Sequence, residues 1–67
     1  MSTHAGTVTA FDRQVGLGQV TDDAGVEWPF HCIAIADGSR DIAVGTAVSF
    51  DTLPKLGRYE ATDLRPV

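Results

Sequence analysis

The chain has little of what staples a small protein covalently or anchors it elsewhere. Cys32 is the one cysteine among 67 residues, so no intramolecular disulfide can close. That thiol and two histidines are too few ligands for a closed structural zinc site. Aromatic residues make up only 7% of the chain, which limits both stacking platforms and core volume. Five Lys and Arg stand against nine Asp and Glu, leaving a net charge of −4 without a basic block. A phosphate polyanion is therefore repelled at long range rather than steered in. No stretch approaches the ~18 apolar residues of a membrane span. Met1-Ser2-Thr3-His4-Ala5 lacks the basic and apolar regions of a secretory leader. The expectation is a cytoplasmic protein with no cofactor, no metal and no membrane attachment.

What is present suffices for one small core and no second domain, since 43% of the residues are hydrophobic. The size scaling expects a folded surface of roughly 4,000 Å², with about 60% of the extended chain's surface buried. Apolar residues recur at spacing two in short runs separated by Gly, Asp and Pro clusters, the pattern of an all-β chain. Residues 6–11 and 16–21 form a predicted hairpin about the polar turn Asp12-Arg13-Gln14, and Asp22-Asp23-Ala24-Gly25 leads into a third strand over 27–32. Pro29 removes a backbone donor there, so this strand is expected to be partly unpaired. One helical turn over 33–36 and a loop to Asp41 or Ile42 precede a fourth strand over 46–52. After Pro54-Lys55-Leu56-Gly57 a fifth runs from Tyr59 to Leu64.

Five short strands, a meander first and the longest connection between strands three and four, suit a small closed or nearly closed barrel. Alternation assigns Val8, Val20, Trp28, Phe30, Val48, Phe50, Ala61 and Leu64 to the interior, with Ile35 and Val44 at its ends. Ala10 and Gly18 are small enough to make room for the larger rings. Thr7, Thr9, Phe11, Leu17, Gln19, Pro29 and His31 then share the opposite face of the first three strands, where function is expected.

The order of Gly6-Thr7-Val8, Phe11-Asp12, Gly16-Leu17-Gly18-Gln19-Val20, Phe30-His31, Ala34-Ile35, Gly45, Val48, Phe50 and Glu60-Ala61-Thr62-Asp63-Leu64 resembles the bacterial cold-shock domain over nearly the whole chain. The resemblance implies a five-stranded OB-type barrel that holds single-stranded RNA or DNA by aromatic stacking on strands one to three. The family's motifs read Lys-Gly-Phe-Gly-Phe and Val-Phe-Val-His-Phe. Here Val15-Gly16-Leu17-Gly18-Gln19 lacks the lysine and both phenylalanines, and Trp28-Pro29-Phe30-His31-Cys32 keeps His31 but has Pro29 and Cys32 at the other stacking positions. Thr9-Ala10 stands where the family has Lys-Trp, and Ser39 where its long loop has phenylalanine. Each lost platform is worth about 1–3 kcal/mol, so weak, salt-sensitive binding is expected.

The nucleic-acid-binding residues expected on this basis are Phe11, Leu17, Gln19, Pro29 and His31, with Arg13, Lys55 and Arg58 as phosphate contacts. The alternative is a protein-interaction or regulatory module using the same apolar patch with its polar rim. Trp28 reads as a core residue and Cys32 as a buried, inert thiol. Cys32 and His31 are adjacent on a strand and face opposite ways, with no third group to orient them, so an enzyme is not expected. Gly16 and Gly18 precede no helix and no Lys-Ser/Thr, which makes them bending points rather than a phosphate loop. Asp22, Asp23 and Glu27 lack calcium-loop spacing and read as a solvated turn.

Overall fold

The computed structural model describes residues 4–67, with Lys55 described in its backbone alone. Strands β1 (His4–Asp12), β2 (Leu17–Asp22), β3 (Glu27–His31), β4 (Ala47–Lys55) and β5 (Arg58–Pro66) form one antiparallel sheet in the order β3-β2-β1-β4-β5. A 3₁₀ turn over Cys32–Ala34 follows β3. Among the described residues no helix is long and apolar enough to cross a membrane. The accessible surface is 4288 Å², close to what size scaling expects.

Paired rows show which way each side chain points. Val8, Val20 and Trp28 form one row across β1, β2 and β3, and Phe11, Gly18 and Phe30 form another. Both turn inward, toward a core of Val8, Val20, Phe30, Ile35, Ile42, Val48, Phe50, Ala61 and Leu64. Between those rows the β1–β2 register shifts at Thr9. This extra residue leaves Thr9 and Ala10 both exposed and reverses the alternation of everything after them. Phe11 is consequently not on the outer face: its ring lies parallel to Phe30, 6.0 Å away and tilted by 7°, and packs against the core. Gly18 is required opposite it, because a Cβ there would strike the Phe30 ring and lie 2.9 Å from the Ala10 carbonyl oxygen.

A second irregularity lies in β5, where pairing with β4 jumps between Ser49 and Asp51. Asp63 takes a left-handed backbone, φ 54°, and so Ala61 and Leu64, three residues apart, are both buried. Strict alternation would expose one of them.

Several expected core residues sit elsewhere. Val44 is 61% exposed, and Ile42 fills the end of the core instead. The reason is a turn in which Thr46 donates its N–H to the Ala43 carbonyl and Gly45, at φ 96°, donates to Val8, which projects Val44 outward. Trp28 is half-buried at the rim of the core. Its indole N–H needs an acceptor, and finds Asp22 Oδ2 at 3.0 Å. Cys32 is half-buried, not enclosed, because β3 stops at His31 and Cys32 opens the 3₁₀ turn, donating its N–H to the Gly16 carbonyl at 2.8 Å.

Pro29 pairs with Gln19. Having no N–H, it fits only where that group would point away from β2, and β3 is an end strand of the sheet. The strand is thus paired with β2 along its whole length and blunted on its outer edge. The sheet curls until its two ends approach: Trp28 of β3 meets Tyr59 of β5 edge-on at 6.4 Å.

Candidate functional site

After the bulge, the outer face of β1–β3 carries two rows. One is Ala10, Gln19 and Pro29, and the other is Asp12, Leu17 and His31. Pro29 and His31 are exposed and Gln19 is half-buried, while Leu17 keeps 44% of its surface open. A shallow hollow of about 420 Å³ runs over Ala10, Leu17, Gly18, Gln19 and Pro29, and Phe11 also lines it. A second, of about 240 Å³, continues from Leu17 and Pro29 past His31 to Arg58 and Glu60 on β5. The open surface therefore does not end at β3 but continues to β5, where it becomes charged at Arg58 and Glu60.

Of the residues expected from sequence, the fold brings Leu17, Gln19, Pro29, His31 and Arg58 together around these hollows. Phe11 also lines the first hollow, from a half-buried place where its ring stacks on Phe30. Arg13 is engaged elsewhere: its Nε donates to Asp41 Oδ1 at 2.8 Å, tying the β1–β2 turn to the long loop. That hydrogen bond, and then the carboxylate's charge, raise the arginine's pKa further. Both side chains are largely solvated, so the pair is worth little to stability, yet it neutralises the cation locally. The side chain of Lys55 lies outside the described residues.

Two residues without a place on the face expected from sequence belong here. Ala10 reaches the outer face because of the Thr9 bulge, for which no sequence signal exists. Glu60 lines the second hollow with Arg58, and their spacing of two on a strand was a usable signal. Conversely Asp22, read as part of a solvated turn, organises the β2–β3 connection. Its Oδ1 accepts from the N–H groups of Ala24 and Val26, both at 2.9 Å, and its Oδ2 from the Trp28 indole. The indole bond first, then the Val26 amide, lower its pKa below the ordinary carboxylate value.

No protein-family model and no curated protein matches this chain. The site must be judged on its geometry: flat apolar surfaces in register, one arginine beside them, and carboxylates of Asp12, Glu27 and Glu60 around them.

Proposed function

We propose that this chain is an OB-type barrel of the cold-shock kind that binds single-stranded RNA or DNA, weakly and salt-sensitively, across the outer face of β1–β3. The observation that carries this reading is the placement of Leu17 directly opposite His31, with Pro29 and Gln19 in the next row. These residues form an open surface on which bases can lie flat, and Arg58 stands at its margin as a phosphate partner. Its weakness follows from stacking on Leu, Pro and His in place of phenylalanines, and from a net charge of −4.

The test is fluorescence anisotropy of labelled seven-nucleotide strands at low and moderate salt. Micromolar affinity that falls with salt, and that weakens in Leu17→Ala and His31→Ala, supports the reading. Absence of binding up to roughly 100 μM at low salt, beyond typical non-specific affinities, overturns it. Phe11→Ala is expected to register as lost stability, since that ring packs on Phe30.

A protein-interaction module on the same surface is the second reading, favoured by the capture of Arg13 by Asp41 and by the acidic rim. It predicts a partner whose binding Leu17→Asp abolishes without unfolding the domain, whereas retained binding removes this face from consideration.

A further inference from the structure

We propose that Asp41 occupies Arg13 in place of a backbone phosphate, so that the single-strand face has a second phosphate subsite which the chain itself holds shut. The inference rests on the single-strand-binding reading above. Pairing of β1 with β4 ends at Thr7 and Ala47. Beyond that point the end of the connection over residues 35–46 lies beside β1, where Val8 donates its N–H to the Thr46 carbonyl and Gly45 donates to the Val8 carbonyl. Farther along the strand, Asp12 is paired with Leu17 and lines the first hollow. The next residue, Arg13, meets the same connection at Asp41. The ion pair therefore stands where the outer face borders the long loop.

Carboxylate and phosphate are the two anions that a guanidinium fork matches, and the contact with Asp41 uses little of that fork. Of the five N–H donors of an arginine, Nε alone engages Asp41, at 2.8 Å from Oδ1, and among the described residues the terminal N–H groups have no protein acceptor. Asp41 is delivered by its own loop. The Ser39 hydroxyl donates to the Asp41 carbonyl at 2.9 Å and accepts the Asp41 N–H at 3.3 Å, with Arg40 in a left-handed conformation between them, φ 59°. A phosphate that approaches the terminal N–H groups meets the Asp41 charge and is repelled. Yet 74% of the Arg13 side-chain surface is open, and an exposed ion pair is weakly held, so a bound strand can take Arg13 from Asp41. The loop thus lowers affinity without abolishing it.

The experiment measures anisotropy of the full chain with a labelled seven-nucleotide thymidine strand, from low to moderate salt. Asp41→Asn is expected to bind about twofold to fivefold more tightly than wild type, the range that an exposed ion pair is worth. The slope of log affinity against log salt should steepen by about 0.7, the value for one more phosphate contact on a single strand. Ser39→Ala, which removes the hydroxyl that places Asp41, should show part of the same gain. The gain should vanish in Arg13→Ala/Asp41→Asn, and Asp23→Asn, which removes an equal charge from a different turn, should not reproduce it. If wild type binds and Asp41→Asn binds no better, the shut subsite is overturned while the single-strand reading stands. A gain that persists without Arg13, or that Asp23→Asn matches, also overturns it, because net charge alone then accounts for the change. Failure of wild type and every variant to bind overturns both readings.

Discussion

A methyl group added at Gly18 would have to enter the space of the Phe30 ring, whose Cε1 would lie 2.7 Å from it, on one side and the Ala10 carbonyl on the other. Phe30 is fully buried and already stacked on Phe11, so neither neighbour can yield cheaply. Gly18→Ala is expected to destabilise the domain by about 1–3 kcal/mol, which thermal denaturation would register as a fall in Tm of roughly 4–8 °C per kcal/mol. An unchanged Tm would show that the two rings can slide. Asp22 acts in a different way, by accepting three hydrogen bonds that favour its charged form. Because its pKa is lowered in the folded state, its contribution is present above the unfolded value of about 3.9 and is lost as pH falls through the folded value. Asp22→Ala is therefore expected to be less stable than wild type at pH 7, with the gap narrowing below about pH 4. Urea titrations at both pH values would measure it, and a gap independent of pH would mean that the charge on Asp22 is not what matters.

At the scale of elements, the β4–β5 hairpin is the place where local chemistry and conformation disagree. Its two-residue loop, Leu56 and Gly57, joins Lys55 to its partner Arg58 with positive φ at both positions, 46° and 86°. This is the primed turn that suits strand twist, and it favours Asn-Gly. Leu56 is fully exposed, so its side chain returns no packing for the strained backbone. Leu56→Asn is expected to stabilise the domain by about 1 kcal/mol, at the low end of the cost of a left-handed non-glycine residue. A lower Tm in that variant would reveal a contact of Leu56 that the described residues do not contain. A break between the last two strands was legible at Pro54-Lys55-Leu56-Gly57, although Pro54 and Lys55 belong to β4 and only Leu56 and Gly57 form the loop, and the meander of β1–β3 was legible from its Asp and Gly turns. The ends of elements were less so. β3 was expected to include Cys32, but the chain turns into the 3₁₀ helix once Cys32 bonds to Gly16, a contact between distant residues that local propensity does not encode.

For the whole molecule, charge sets how a polyanion is received. With a net charge of −4, attraction depends on single cations where they stand rather than on a basic field. Arg58 lines the second hollow, whereas Arg13 is held by Asp41. If the face binds single strands as proposed, Arg58→Ala should reduce the slope of log affinity against log salt by about 0.7, the value for one phosphate contact on a single strand. Arg13→Ala should change it less, because its charge is already matched. Equal effects in both variants, measured by anisotropy from low to moderate salt, would place the phosphate path over the long loop instead.

Much of the molecule was determined by sequence alone: five strands, their order along the chain, a core of Val8, Val20, Phe30, Val48, Phe50, Ala61 and Leu64, and an outer face bearing Leu17, Gln19, Pro29 and His31. A period of two is a local property that the first four runs display without reference to the rest; in β5 the left-handed Asp63 is what seats both Ala61 and Leu64 in the core. Two matters were decided only in three dimensions. The bulge at Thr9 turns Phe11 inward and Ala10 outward; a one-residue slip leaves no mark in a sequence of ordinary strand residues, because it is set by how β1 meets β2. The curling of the sheet brings Arg58 and Glu60 against Leu17 and His31. That meeting joins residues remote along the chain, and it exists only because the strands between them twist and pack around one core.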